Sequence, residues 1–385
     1  MQAVILAAGE GTRLRPLTRT RPKPMLPIGN RPLLEHVLEA GKAAGIDEFV
    51  FVVGYKRERI QSHFGDGDDW DVDIEYAVQE TQLGTGHALL QAEPHVNGNF
   101  LALNGDRIVE PSAISAVIDE RRETGRPVMA VTRHRNPENY GVVELDGQTV
   151  QSIEEKPPAY TVKTDYINAG VYGLGESVFD DLRATESDGE LEITSVLRDY
   201  RDALRAIRFD GLWLDVSYHW DILSVNSRML DRMGSKPAER AAIHDHATVV
   251  EGTALGSDVR VRPGATVLPG TSLGDNVEVG SNAVLSNSVV LPDATIGDGA
   301  VVRDCVVGEN ASVGANVTVE GGETDVVVDA TVHGDVRLGG VVGDNAALSG
   351  GVTVAPGTVL GNKARAESGA TVSGWIENDA IVRRG

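Results

Sequence analysis

A single cysteine, Cys305, occurs in the 385 residues, which excludes an intramolecular disulfide framework and any cysteine-based zinc cluster. Long apolar runs are missing too: no window approaches the roughly eighteen residues of a membrane span, so no membrane partner is expected. The opening Met1-Gln2-Ala3-Val4-Ile5-Leu6 has no basic stretch before its apolar residues and runs straight into a glycine turn. No secretory signal is read there, and a cytoplasmic protein is expected. Basic charge is scarce, with 35 Lys and Arg against 57 Asp and Glu and a net charge of −22. Such a surface cannot neutralise phosphates in bulk, which excludes a nucleic-acid binder. Lysine is scarcest: seven residues (23, 42, 56, 156, 163, 236 and 363) against 28 arginines.

What is present is the composition of a globular protein, 41% hydrophobic and 24% charged, in a chain long enough for two cores. The acidic excess is spread along it: residues 1–242 carry −12 and residues 243–385 carry −10. A uniformly acidic, lysine-poor surface resembles that of proteins from salt-accumulating halophiles, where screening offsets self-repulsion.

The chain changes character near residue 235. Before it, the apolar runs Ala3–Ala8, Phe49–Val53, Ile74–Val78, Phe100–Asn104 and Val128–Thr132 alternate with helical patterns such as Pro32–Ala44 and Pro111–Thr124. That alternation predicts a Rossmann-like α/β domain over 1–233 with a mostly parallel sheet. Gly234-Ser235-Lys236-Pro237 reads as the start of a linker, 234–243.

From 244 to 385 aliphatic residues recur every six positions: Val249, Leu255, Val261, Val267, Leu273, Val279, Leu285 and Leu291. The register slips by one at Ile296, continues at Val302, and resumes at Val307, Val313 and Val319. A second run spans Val336, Val342, Leu348, Val354, Leu360, Ala366 and Val372. This period fits neither helix nor meander; it is the hexapeptide pattern of a left-handed parallel β-helix, with glycine or Asn turning the corners. Residues 320–335 break the period and are expected to form a loop or an irregular coil.

Chemistry is written first in Leu6-Ala7-Ala8-Gly9-Glu10-Gly11-Thr12-Arg13. A glycine-rich turn after a strand brings backbone N–H groups to phosphate oxygens, and Arg13 adds a charge-assisted contact. The turn lacks the Gly-Lys-Ser/Thr ending of a P-loop and the third glycine of the dinucleotide fingerprint. Ten residues later, Lys23-Pro24-Met25-Leu26-Pro27 supplies a second cation.

Together these segments resemble the signature of the sugar-1-phosphate nucleotidyltransferases, which join a nucleoside triphosphate to a sugar phosphate. Gln79-Glu80-Thr81-Gln82-Leu83-Gly84-Thr85-Gly86-His87 resembles the base-binding segment of the uridylyl and thymidylyl branches. Asn104-Gly105-Asp106, Tyr140-Gly141, Glu155-Lys156-Pro157, Asn168-Ala169-Gly170 and Trp213-Leu214-Asp215 follow in the family's order. The resemblance implies nucleotide contacts at Leu6, Ala8, Gly9, Gly11, Thr12, Gln79, Gly84 and Thr85. It implies catalytic roles for Arg13 on the leaving phosphates and Lys23 on the attacking one. Gly141, Glu155, Lys156 and Asn168 would hold the sugar phosphate, and Asp106 and Asp215 would hold Mg2+. Asn226 resembles an alternative second metal ligand. The Gln79 amide offers a donor and an acceptor to the imide edge of uracil or thymine. His87 reads as packing, and Arg107 beside Asp106 departs from the family pattern.

The expected reaction is transfer of a nucleoside monophosphate from UTP or dTTP to a hexose 1-phosphate, glucose 1-phosphate first. One alternative is a bifunctional enzyme that also acetylates glucosamine 1-phosphate. Its repeat domain lacks the family's Gly-His-x-x-Tyr turn near Gly297, which leaves His333 as the candidate base and favours a scaffold that has lost acetyl transfer. Another is a non-catalytic regulatory subunit. Stacked coils need covered ends and flat faces, which predicts a homotrimer or a higher homo-oligomer.

Overall fold

The computed structural model describes residues 1–186, 189–200, 203–234 and 240–384; positions 235–239 of the expected linker lie outside them. Two compact units result, one made of Met1–Glu10, Pro22–Met25 and Leu33–Asp215, the other of Gly11–Arg21, Leu26–Pro32 and Val216–Gly385.

The first unit holds strands β1 Gln2–Ala7, β2 Glu48–Val53, β3 Asp73–Val78, β4 Asn99–Asn104, β5 Arg107–Val109 and β6 Val128–Arg133. It continues with β7 Gly141–Asp146, β8 Thr149–Glu155, β9 Tyr166–Gly175, β10 Arg205–Arg208 and β11 Trp213–Asp215. Its helices are α1 Leu33–Ala43, α2 Arg57–Phe64, α3 Thr85–Gln91, α4 Pro111–Thr124, α5 Ser177–Ala184 and α6 Ile193–Asp199. Every strand and helix range expected above lies within one residue of an observed one. Nine strands form one sheet in the order β3-β2-β1-β4-β9-β6-β10-β8-β7. β3, β2, β1 and β4 run parallel, and β9 is antiparallel to β4 and β6.

The apolar runs are continuous because both sheet faces are covered. Ala3, Ile5, Phe49 and Phe51 pack with Leu34, Leu38 and Ile114 of α1 and α4. Val4, Val50, Val52 and Phe100 pack with Leu89, Phe179 and Leu182 of α3 and α5. The period of two along each strand thus feeds two cores from one sheet.

In the second unit three parallel sheets of eight, seven and seven two- or three-residue strands stack as a β-helix. Each rung lies on the residue one coil earlier, as in Val261↔Val279 and Val267↔Leu285. The aliphatic stripe fills the interior, with Val261, Val267, Leu273, Val279 and Leu285 at most 2% exposed. Corners are turned by Asn and Asp in the left-handed region, among them Asn276, Asn282, Asn310 and Asn316 at φ between 55° and 60°. Short polar side chains tolerate that conformation because they bond locally. Cys305 is one of these core residues; its thiol is pushed up by burial and acts as a small hydrophobe.

Three expectations are corrected. The slip in register comes earlier than Ile296: Leu273 pairs with Val290, so Val290 and not Leu291 is the rung residue. The segment 320–335 is not an irregular coil. Glu323–Val328 and Thr331–Arg337 form an antiparallel hairpin, closed by Asp329 and Ala330, both with positive φ, the geometry that matches strand twist. Val336 therefore pairs with Thr324 in that hairpin instead of joining the stack. Period-two alternation over five residues is too short to stand out beside a six-residue repeat.

The same unit contains helix α7, His219–Met233, and the stretch Gly11–Arg21. That stretch is fastened to the coils by a buried ion pair. Arg21 lies 3.1 Å from Asp344 and 2.7 Å from Glu309, with Arg21 and Asp344 side chains 5% and 2% exposed. Asp344 also accepts from Thr20 Oγ1 and from the Glu309 N–H at 2.8 Å. Among the described residues no helix is long and apolar enough to cross a membrane.

Candidate active site

In the first unit Leu6, Ala8, Gly9, Gln79 and Asp106 stand at the carboxyl ends of the parallel strands β1, β3 and β4, where open α/β sheets leave a crevice. β1 pairs Leu6 with Val52 on one side and Asn104 on the other. The Gly105 N–H donates to the Leu6 carbonyl at 3.0 Å. A Cβ at Gly105 would lie 2.9 Å from that same oxygen, so only glycine lets β4 close so tightly on β1 and deliver Asp106. The Ala8 carbonyl accepts from Gln82 Nε2 at 2.8 Å, and Gly9 is exposed with open space beside it.

Asp215 arrives by a second route. β11 pairs antiparallel with β5, which sets Asp215 opposite Arg107. Lys23 then joins the two carboxylates: its Nζ is 2.7 Å from Asp106 Oδ2 and 3.9 Å from Asp215 Oδ1. Burial works against the Lys23 charge, but Asp106 and Asp215 overcome it and raise its pKa. For Asp106 burial likewise opposes ionisation, and Lys23 and Arg107 reverse it, so its pKa is lowered. Lys23, Asp106 and Arg107 thus keep their charges despite burial, each through the opposite charges beside it.

Arg107, the departure from the family pattern, turns inward. Its Nη1 donates to the Asn168 carbonyl at 3.0 Å, its Nε is 3.9 Å from Asp215, and its guanidinium sits 5.6 Å from the Trp213 ring centroid. It props Asp215 and β9 together, a contribution the motifs did not reveal. Asn168 is buried and both ends of its amide are engaged, Nδ2 to the Tyr172 hydroxyl at 2.7 Å and Oδ1 from the Gly170 N–H at 3.0 Å. Gly141 and Glu155 face each other across the β7–β8 ladder, and Lys156 follows exposed, its N–H on the Tyr140 carbonyl at 3.0 Å.

On the other flank Gln79 follows β3 and is buried. Gly84 has φ +95°, and a Cβ there would meet the Leu191 carbonyl at 2.4 Å, so glycine is required. Thr85 begins α3 and its hydroxyl bonds Glu192 and the Ile193 N–H, the latter at 3.0 Å.

Gly11, Thr12 and Arg13 belong to the second unit. Gly11 is left-handed at φ 66° and precedes the short turn Thr12–Leu14. Thr18 Oγ1 fixes it by donating to the Gly11 carbonyl at 2.8 Å. Arg13 Nε lies 3.4 Å from Asp329 at the hairpin tip, and its guanidinium 5.7 Å from the Tyr218 ring centroid. No sequence signal announced Asp329, because the hairpin itself was not foreseen. Asn226 is fully buried in the same unit with its amide committed: Oδ1 accepts from the Gly29 N–H at 2.8 Å and Ser272 Oγ at 2.7 Å, and Nδ2 donates to the Gly270 carbonyl at 2.9 Å. Of the two candidates for second metal ligand, Asp215 is the one beside Lys23.

Asp106 and Asp215 are hard oxygen donors and fit a small divalent cation better than a soft one. Among the described residues no larger cluster of metal-ligating side chains occurs.

Comparison with known proteins identifies relatives of both units. The nucleotidyl transferase family model matches residues 2–232, and a model described as GMPPB C-terminal domain matches residues 249–373. The bifunctional protein GlmU of Methanococcus vannielii is 31% identical over 414 residues, covering 99% of this chain and 97% of that protein. GlmU of Methanococcus maripaludis strain C5 is 40% identical over 241 residues, 61% of this chain. That match spans little more than half, 56%, of the relative's length. Among solved structures, a putative glucose-1-phosphate thymidylyltransferase from Bacillus anthracis is similar with a TM-score of 0.55 and 28% identity, over 59% of this chain and 94% of that one.

Proposed function

Because the chain belongs to the nucleotidyltransferase family and is a sugar-1-phosphate nucleotidyltransferase, we propose that it transfers UMP from UTP to N-acetylglucosamine 1-phosphate. A phosphate oxygen of the sugar attacks the α-phosphorus, the bond to the β-phosphate breaks, and pyrophosphate leaves. Such transfers ask for positioning and charge neutralisation rather than covalent catalysis.

Lys23 neutralises the attacking phosphate, and Arg13 binds the β- and γ-phosphates. The backbone of Leu6, Ala8, Gly9, Gly11 and Thr12 lines the triphosphate, and Gln79, Gly84 and Thr85 take the base. Gly141, Glu155, Lys156 and Asn168 take the sugar phosphate. Asp106 and Asp215 would hold Mg2+, which when bound supplies charge neutralisation at phosphoryl oxygens.

The observation behind the choice of sugar is the likeness to a bifunctional GlmU that runs through 99% of this chain; the glucose 1-phosphate first expected is the weaker candidate. The same likeness favours a second activity, acetyl transfer to the amine of glucosamine 1-phosphate. Its base would be His333, whose ring lies 4.5 Å and 5.3 Å from those of Tyr218 and Trp220.

The test is pyrophosphate release in molar KCl with Mg2+, crossing UTP, dTTP and GTP with N-acetylglucosamine, glucose and mannose 1-phosphates. The largest kcat/KM is expected for UTP with N-acetylglucosamine 1-phosphate; a larger value for GTP with mannose 1-phosphate would overturn the assignment. A parallel arm follows acetyl-CoA with glucosamine 1-phosphate, where turnover that survives His333→Ala removes His333 as the base. The high-salt buffer follows from the acidic, lysine-poor composition. The flat faces of the coil stack suit self-association into a trimer, and light scattering that gives only the 40.9 kDa monomer mass would refute it.

A further inference from the structure

We infer that His87 is a positioning residue that fixes which end of the Gln79 amide faces the nucleobase, so that the site rejects a base with a lone pair at N3. The inference rests on the proposed role of Gln79 as the base reader.

Gln79 Nε2 has two acceptors, the Gly84 carbonyl at 3.1 Å and His87 Nδ1 at 2.9 Å. A carbonyl can only accept, so the amide end turned toward Gly84 is the NH2 group, and the flipped rotamer would set two oxygens against each other. The donor at Gln79 in turn requires His87 Nδ1 to accept, which puts the ring proton on Nε2. The Nε2 of Gln91 lies 3.5 Å from His87 Nε2, but two donors facing each other make no bond.

Both N–H groups of the amide are therefore spent inside the protein. The sequence suggested that Gln79 would offer the base a donor and an acceptor; the structure leaves it Oε1 alone. Among the described residues no donor reaches that oxygen. Uracil and thymine carry N–H at N3 and satisfy it. Cytosine carries a lone pair there, and the cage formed by Gly84 and His87 resists the flip that would accommodate it. Discrimination by an acceptor that the wrong base cannot satisfy is stronger than discrimination by size.

The test is the ratio of kcat/KM for UTP to that for CTP, each with N-acetylglucosamine 1-phosphate, in the full-length enzyme. The ratio is taken within one preparation, so it is insensitive to the folded fraction. His87→Leu removes one of the two acceptors and is expected to lower the ratio about five- to tenfold; H87A provides a second truncation if H87L does not fold. His87→Asn can set Oδ1 where Nδ1 lies and is expected to keep the ratio within about twofold. If H87L and H87A keep the wild-type ratio while Gln79→Ala collapses it, the role of His87 is wrong and the base reader stands. If Gln79→Ala also keeps the ratio, the base reader itself is wrong. A wild-type enzyme that uses CTP as well as UTP overturns the inference outright.

Discussion

Lys23→Ala is expected to lower kcat by two to three orders of magnitude while leaving triphosphate affinity nearly unchanged. The loss of a preorganised charge stabiliser corresponds to about 3–4 kcal/mol of the barrier. Lys23 Nζ is 2.7 Å from Asp106 and 3.9 Å from Asp215, so the variant also leaves two carboxylates without the cation between them. Their mutual repulsion then opposes both the incoming phosphate and the folded state. The folded pKa of Lys23 is raised above its ordinary value of 10.5. Its contribution to stability is therefore complete below about pH 10 and is lost only as pH rises through the folded value. No pH between 6 and 9 should mimic the mutation. Steady-state kinetics combined with UTP calorimetry separates the effects. A variant whose kcat stays within about tenfold of wild type would remove Lys23 from the attacking phosphate.

The second large effect concerns stability. Asp344→Ala is expected to destabilise the protein by about 3–5 kcal/mol, because it leaves Arg21 buried with one carboxylate fewer. Asp344 accepts from Arg21, Thr20 and the Glu309 N–H, and its side chain is 2% exposed. Glu309, 28% exposed, cannot replace it, since solvent already shares that charge. A urea midpoint in molar KCl measures the loss, and screening by salt should change it little at so buried a site. The control is the double replacement Arg21→Met with Asp344→Leu. It removes both charges at once and is expected to recover most of the stability. A double variant as unstable as Asp344→Ala would show that the bonds from Thr20 and Glu309, and not the ion pair, carry the effect. Because Gly11–Arg21 also bears Arg13, weaker triphosphate binding should accompany the single substitution.

Much of this architecture was legible because its signals are local and periodic. The strand cores β1, β2, β3, β4 and β6 announced themselves as apolar runs covered on both faces, and the coils as a repeat whose aliphatic residue must point inward. The site was legible where a motif fixes a backbone feature: Gly105 is demanded by the Leu6 carbonyl, and Gly84 by Leu191. Partners remote in sequence were not legible. Arg107 and Asp215 meet through an antiparallel ladder between β5 and β11, and nothing in Asp106-Arg107 foretells it. The composition break near residue 235 could not show that Gly11–Arg21 packs with the coils, since Asp344 looks like any other corner aspartate. Gln79 and His87 lie eight positions apart, yet which amide end faces the ring depends on the Gly84 carbonyl, a backbone atom invisible in composition.

The coil stack keeps its count by rungs and not by residues. Val302 lies on Val319 and Val319 on Val354, while Val307 lies directly on Val342, so the whole hairpin is looped out between neighbouring rungs without altering the ladder. Chain length and stack height are thereby uncoupled at this corner. It is a splice point, where sequence can be gained or exchanged outside the prism while each interior valine keeps the same neighbours above and below.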